Sequence, residues 1–218
     1  MLERLISGGP LMIPLVTCSV VMLAVLFERG LAFYRNGRVD VRSLRSQVVG
    51  LLFENRIEDA MVLCASTPGP VSAVLLVGLQ TYKKALGMGL TGVVQRQMVE
   101  KAMDDYTAHA IHAVELRLNW LATISNIAPL FGMTGTVTGM IRSFGSLSGA
   151  GSLDAGVVGA GISEALVATA SGLIIALASL IPFNGFMNRV ARINLDIGEA
   201  AADLVQVITV NEERARKA

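Results

Sequence analysis

Two long apolar segments, Trp120–Phe144 and Val157–Phe186, dominate the hydrophobic pattern of the chain. Each is longer than the roughly 20 apolar residues that a helix needs to cross a bilayer. A third apolar run begins at Leu11 and ends in an aromatic and basic pair, Tyr34 and Arg35, which is typical of an interfacial anchor. The pattern therefore predicts three membrane-spanning helices, at 11–34, 119–146 and 158–187.

Outside these runs, apolar residues recur every three or four positions, which is the period of an amphipathic helix. The spacing is clear at the start of the segment 35–118 and again in the tail 188–218. No segment has the alternation of a β-strand. We therefore predict an all-α membrane protein, whose second and third transmembrane helices extend into a cytosolic helical bundle. Pro129 is expected to kink the second helix.

Basic residues give the orientation. Arg35, Arg38 and Arg42 follow the first apolar run, whereas only Arg4 precedes it. Because loops rich in Lys and Arg stay in the cytosol, this places the N-terminus outside and the C-terminus inside. The predicted topology has a periplasmic N-terminus, a cytosolic insert, a periplasmic loop and a cytosolic C-terminal helix, at 1–10, 35–118, 147–157 and 188–218.

Composition agrees with a membrane protein and argues against other classes. Hydrophobic residues make up 53% of the chain and charged residues only 16%, against about 25% charged in soluble domains. A net charge of +1 without a basic aromatic patch gives no reason to expect nucleic acid. We find no hydrolase triad, phosphate-binding loop or cofactor motif, and therefore predict no enzymatic activity and no cofactor. His109 and His112 lack a third ligand nearby, and no metal site is predicted.

Small residues form a stripe on each of the two long segments. At 100° per residue, the stripe of the first segment falls within roughly 60° of arc. A similarly narrow arc holds the stripe of the second, whereas Thr134 and Thr138 point away. Such stripes indicate close helix packing, as in the Gly135-xxx-Gly139 pattern, or a polar pore lining, and the two are compatible. The stripe positions are Ser125, Gly132, Thr136, Gly139 and Ser143, then Ala165, Thr169, Gly172 and Ala176.

Glu164 is the acid closest to the membrane on this pair of helices. An acid in a membrane segment is costly and usually functional. The alternative is that Glu164 lies at the wet interface, where it caps a helix or pairs with Arg142. The residues alone leave both interpretations open.

The sequences GMTGTVTG at 132–139 and GISEALVATASGL at 161–173 resemble the paired signature of the MotA/TolQ/ExbB proton-channel family. The similarity is greatest to the ExbB and TolQ branch, in which G-T-V-x-G on one helix is followed by G-I-x-E-A-L-x-x-T-A-x-G-L on the next. The match is specific over these two helices. It departs from the branch at 177–182, where LASLIP stands in place of the usual A-I-P-A run.

The resemblance implies a subunit of a proton-driven motor in the bacterial inner membrane, which couples the proton-motive force to work in the cell envelope. It further implies a homopentameric ring, in contact with membrane lipids, around two copies of an ExbD/TolR-like single-helix partner with a membrane aspartate. Thr136, Thr169 and Glu164 would then line the proton pathway. Two alternatives are a structural membrane scaffold, whose small residues serve packing alone, and a subunit of a secondary transporter.

Overall fold

The computed structural model describes residues 9–36, 40–150 and 155–217, which form six α-helices. The described residues contain no β-strand, so the prediction of an all-α protein is confirmed. The helices are α1 (Met12–Asn36), α2 (Val41–Phe53), α3 (Ile57–Ser66), α4 (Pro70–Gly87), α5 (Val93–Ala150) and α6 (Ala155–Lys217).

Local chemistry explains where the short helices begin. Asp40 caps α2, since its carboxylate accepts hydrogen bonds from the backbone N–H groups of Arg42 and Ser43 at 3.1 and 3.3 Å. Helix α4 begins with Pro70, which lacks the N–H that a first turn leaves without a partner. Gly69 precedes it with φ of 137°, a conformation that side-chain-bearing residues rarely adopt.

The two long helices are continuous over 58 and 63 residues, with Pro129 inside α5 and Pro182 inside α6. A long helix from Val93 into the predicted membrane segment is thereby confirmed. The loop predicted at 147–157 needs correction, because 147–150 and 155–157 are helical. Glycine and serine weaken a helix without stopping it as proline does, and alanine favours a helix. The rest of that loop lies outside the described residues, as do positions 1–8 of the predicted N-terminal segment.

Two of the described helices are long and apolar enough to cross a membrane. They are α1 over Met12–Tyr34, with a mean hydropathy of 1.8, and α6 between Val158 and Arg214, where it reaches 2.1. The segment of α5 at 119–146 is less apolar, because threonines, glycines and Asn126 replace larger aliphatic residues. The first and third predicted spans are therefore supported by length and composition, and the second stays a prediction.

The chain divides into two compact units. The first contains the described residues up to Gly30 together with Arg117–Phe186, and the second contains Leu31–Leu116 with the described part of the tail from Met187. Alanines make up most of the small core of the first unit, so its helices approach closely. That core is formed by Met12, Leu15, Ala128, Ala168 and Ala176.

The second unit has a larger aliphatic core between α2, α3, α4 and parts of both long helices. Its fully buried side chains include Val48, Leu52, Leu75, Leu79, Met103, Leu204 and Ile208. The end of α6 packs against the start of α5, as its amphipathic pattern predicts. The N–H of Gly92 donates to Oε1 of Glu212 at 2.7 Å, and Nη1 of Arg96 donates to Oγ1 of Thr209 at 3.2 Å.

Two polar features lie at the edge of this core. Nε and Nη2 of Arg45 donate to Oδ2 of Asp203 at 2.9 and 2.6 Å, and Nη1 pairs with Glu199. The hydrogen bond to Asp203 is the main reason that the pKa of Arg45 is raised. Burial of Cys64, whose exposed fraction is 2%, raises the pKa of its thiol to about 11. The thiol therefore stays protonated at neutral pH.

Candidate functional site

The closest approach of α5 and α6 is made at glycines. A methyl group added to Gly132 would lie 2.9 Å from the Cα atom of Thr169 and 3.2 Å from the carbonyl oxygen of Ala168. One added to Gly172 would lie 2.5 Å from the carbonyl oxygen of Ala128. These neighbours are backbone atoms that cannot rotate away. The two helices are therefore in backbone contact here, which only glycine permits.

The contact continues along both helices. A methyl group on Gly139 would lie 2.9 Å from Cβ of Ala165, and one on Gly135 would lie 2.8 Å from Cβ of Ala168. Gly161 lies directly against the hydroxyl of Ser143. The structure therefore uses these small residues to pack α5 against α6 within one chain.

Most of the predicted stripe lies in this interface. The buried members are Ser125, Gly132, Gly139, Ser143, Ala165, Gly172 and Ala176. Helical angles from a single stripe missed Ala128, Gly161 and Ala168, which also line the contact. Their signal is the alternation of four- and three-residue steps, as in 128-132-135-139 and 161-165-168-172. That spacing is typical of two helices packed along a common seam.

Thr169 joins the two helices by a side chain. Its Oγ1 donates a hydrogen bond of 2.8 Å to the backbone carbonyl oxygen of Gly132. Thr169 remains partly exposed, and the lone pairs of its hydroxyl oxygen can still accept a hydrogen bond. Thr169 therefore helps to hold α6 against α5, and its hydroxyl can also bind a water molecule.

Thr136 has a different role in the described structure. Its hydroxyl donates to the carbonyl oxygen of Met133 at 2.7 Å, within its own helix, and does not bond Thr169. Thr134 and Thr138 also donate to carbonyl oxygens of α5, each at 2.8 Å. Their accessibility differs, since Thr136 is partly buried and the other two are exposed. Environment, rather than hydrogen bonding, sets Thr136 apart from its neighbours.

Glu164 pairs with Arg142 across the two helices. Nη1 of Arg142 lies 3.2 Å from Oε1 of Glu164, and the two side chains are 58% and 28% exposed. Gly9, just before α1, lies against the same carboxylate oxygen. The structure thus contains the ion pair with Arg142 that was one of the two interpretations of Glu164. The pair is partly exposed to solvent. A part for Glu164 in proton movement stays a prediction.

Titratable groups are sparse along this pair of helices. Between Trp120 and Phe144 the one charged residue is Arg142, and between Ala165 and Phe186 there is none. Hydroxyls with pKa values far from neutrality cannot store a proton, although they can position water. His109 and His112 are both exposed and belong to the second unit. The pair of helices α5 and α6 therefore supplies hydroxyls and backbone carbonyls, but no group that can carry a proton at the middle of the pair.

Comparisons with known proteins converge on one group. Residues 68–199 match the model of the MotA/TolQ/ExbB proton channel family. The chain is 33% identical over 191 residues to an ExbB-like biopolymer transport protein of Synechocystis, covering 83% of this chain and 81% of that protein. It is 26% identical over 197 residues to the biopolymer transport protein ExbB of Salmonella typhimurium, covering 89% and 78%.

A third relative is matched over a shorter length. The chain is 34% identical over 108 residues to the Tol-Pal system protein TolQ of Haemophilus influenzae. That alignment covers 50% of this chain and 47% of TolQ, so the chain spans about half the length of this relative.

Proposed function

This chain belongs to the MotA/TolQ/ExbB proton channel family, and from that premise we propose that it is the ring-forming subunit of a proton-driven motor. The motor would couple the proton-motive force to work in the cell envelope. Its partner would be an ExbD/TolR-like protein whose single membrane helix carries an aspartate. The relatives include a biopolymer transport protein and a Tol-Pal system protein, and we propose a role of the same general kind for this chain.

The observation that supports the shared mechanism is the lack of a proton carrier between Ala165 and Phe186, where the hydroxyl of Thr169 lies. Moving a proton across a membrane requires a group that binds and releases it at accessible pH, or a continuous wire of water. Thr136 and Thr169 would position water, and the partner's aspartate would supply the titrating group. Glu164 would contribute at the outer end of the path, where it pairs with Arg142.

The proposed topology has three membrane helices, at 11–34, 119–146 and 158–187, in the bacterial inner membrane. The N-terminus would be periplasmic and the segments 35–118 and 188–218 cytosolic. Large apolar side chains are exposed on all three segments, among them Phe27 at 80%, Leu130 at 60% and Ile181 at 69%. Such surfaces require a cover of lipid or of neighbouring subunits. We propose that a homopentamer around a dimer of the partner provides part of it.

One observation favours a second candidate, a structural membrane scaffold. Most small residues of the predicted stripes pack the two helices together, as the backbone contact at Gly132 shows. A scaffold would need no aspartate on a partner. A transporter subunit would more often contain inverted repeats, and the sequence contains no repeat.

Proton flux into vesicles separates these possibilities. Vesicles would hold this chain alone, the chain with its partner, or the chain with a partner whose membrane aspartate is replaced by asparagine. We expect flux only with the intact partner. Equal flux from the chain alone would overturn the two-component mechanism. Absence of flux in all three preparations, with a complex assembled, would favour the scaffold.

A further inference from the structure

A cavity of about 610 Å³ lies within the second unit. That volume falls in the range of roughly 300–1,000 Å³ that is usual for ligand pockets. Its walls come from the end of α1, the start of α2, the first turn of α4 and the segment of α6 at 189–196. None of these residues is used by the proton pathway proposed above.

Part of the cavity lining is apolar. Phe33, Val41, Leu44 and Val71 contribute to it, and Tyr34 stands at its rim with 64% of its surface exposed. Tyr34 is also the last residue of the apolar span of α1. Tyrosine is enriched at the level of lipid headgroups, because its ring is apolar and its hydroxyl is polar. The apolar wall therefore begins where the apolar helix ends.

Another part of the lining, on α6, carries charge. Arg189 and Arg192 line the cavity and are exposed, and within the described part of the chain neither has an ion pair or hydrogen bond. Asp196 lies one turn further along α6 and offsets part of their positive charge. The cavity keeps a net positive charge beside an apolar wall. Guanidinium groups bind phosphate oxygens in a bidentate manner, so this wall suits a phosphate.

We propose that this cavity binds one anionic phospholipid of the cytoplasmic leaflet. The phosphodiester lies against Arg189 and Arg192, and the upper part of one acyl chain lies along Phe33, Val41 and Leu44. The first turn of α4 also lines the cavity, and Gly69 offers no side chain to cap its backbone N–H groups. This inference rests on the proposed topology, which puts the end of α1 and the segment after 187 at the cytosolic surface.

The lipid source is favoured over a soluble phosphate for a physical reason. A free phosphate ion would use only the two guanidinium groups and leave the apolar wall wet. A phospholipid covers both walls, and it is present at high local concentration beside Tyr34. Juxtamembrane arginines gain about 1 kcal/mol each from an anionic membrane surface, which corresponds to about 30-fold in binding for two.

The test is lipid titration of the full-length chain in detergent micelles, followed by native mass spectrometry. Dioleoylphosphatidylglycerol is compared with dioleoylphosphatidylcholine, and the apparent Kd is measured for the first lipid bound per chain. We expect R189Q/R192Q to raise the Kd for phosphatidylglycerol about 30-fold and to abolish the preference over phosphatidylcholine. The matched control K84Q/K101Q removes the same charge from residues outside the cavity and should leave both unchanged.

The Asp196→Asn substitution should change the Kd for phosphatidylglycerol in the opposite direction. Removing the one acid of the cavity should lower the Kd for phosphatidylglycerol, an effect that a merely damaged fold would not produce. Thermal unfolding followed by circular dichroism checks that each variant is folded. Equal Kd values for the two lipids in the wild type, or equal losses in the control, would overturn the proposal.

A soluble competitor distinguishes the two phosphate sources. Glycerol 3-phosphate at millimolar concentration should not displace phosphatidylglycerol, and displacement would assign the cavity to a soluble phosphate instead. Failure of the chain to insert into vesicles would overturn the proposed topology. An inserted chain that binds both lipids alike would overturn only this site.

Discussion

Thr169 on α6 donates a hydrogen bond of 2.8 Å to the carbonyl oxygen of Gly132 on α5, at the point where the two backbones are in contact. The glycine makes the bond possible, because any side chain at 132 would separate the helices and lengthen it. One residue of each family motif thus meets a residue of the other. The relationship links the packing of the helix pair to the residue proposed to position water.

The first prediction concerns this bond. Thr169→Val keeps the shape of the side chain and removes the donor, whereas Thr169→Ser keeps the donor. Hydrogen bonds between membrane helices contribute about 0.6 kcal/mol on average and at most about 1.7 kcal/mol. We expect Thr169→Val to lower the free energy of unfolding by an amount in that range and to reduce proton flux strongly. Thr169→Ser should retain most of both.

The measurements are unfolding in mixed micelles and flux with the partner present. If the serine variant loses as much flux as the valine variant, the hydroxyl is not the group that matters at this position.

The second prediction separates the three threonines of α5. All three hydroxyls donate to carbonyl oxygens of their own helix, so valine at any of them should change stability little. Thr136→Val is expected to assemble normally with reduced flux, because Thr136 is the partly buried member. Thr134→Val and Thr138→Val should be milder, and they serve as matched controls. Equal losses in all three would contradict the assignment of Thr136 to the pathway.

The third prediction concerns glycine contacts. Gly132→Ala and Gly172→Ala each place a methyl group against backbone atoms, so the helices must move apart. Overpacking of this kind costs about 1–3 kcal/mol. Gly185→Ala is the control, since a methyl group there meets no atom within 4 Å. The control should be neutral, or more stable by up to about 1 kcal/mol, because alanine is the better helix former. Thermal unfolding of the three variants gives the comparison, and a stable Gly132→Ala chain would refute the backbone contact.

The fourth prediction treats the Arg142–Glu164 ion pair. Both side chains are partly exposed, and exposed pairs contribute about 0.2–1 kcal/mol. A double-mutant cycle with Arg142→Gln and Glu164→Gln should give a coupling energy in that range, smaller at high salt. Proton flux through the same variants then tests function separately from stability. Full flux in Glu164→Gln would assign the residue to structure alone, whereas loss of flux in Glu164→Gln but not in Arg142→Gln would favour a role in the pathway.

The fifth prediction follows from the pKa of Cys64. Burial raises it to about 11, so the thiol stays protonated and shielded, and should react slowly with a maleimide at pH 8 in a Cys18→Ser background. The control is Val62→Cys with Cys64→Ala, which puts the thiol on the exposed face of α3. That thiol should react many times faster. Fast modification of Cys64 in the folded chain would contradict its burial.

The pH dependence of the free energy of unfolding follows from the same pKa of Cys64. The thiolate forms first in the unfolded chain, where the pKa is near 9.0. The contribution of Cys64 to stability is therefore complete below about pH 9 and is lost as the pH rises towards 11. Cys64→Ala should show a smaller fall in the free energy of unfolding over that window.

The sequence by itself determined the helical class, the apolar segments and most of the small residues at which α5 meets α6, although it missed Ala128, Gly161 and Ala168. These features depend on local periodicity and residue size, which act over a few turns of one helix. The sequence predicted the helical bundle of the second unit for the same reason. Apolar residues, such as Val48 on α2 and Leu204 and Ile208 on α6, lie at helical spacing within their own segments. The family motifs could also be recognised from the sequence, because each is a short and contiguous run of residues.

Tertiary structure alone decided which partners these residues have. A helical angle places Thr136 and Thr169 on stripes, but it cannot say that Thr169 bonds the carbonyl of Gly132 while Thr136 bonds its own helix. The choice depends on the depth to which two backbones interpenetrate, and that depth is set jointly by Gly132, Ala168 and Gly172. The cavity beside Arg189 arises in the same way, from segments that lie far apart in the chain. Such contacts are properties of pairs of elements, and no single segment of sequence contains them.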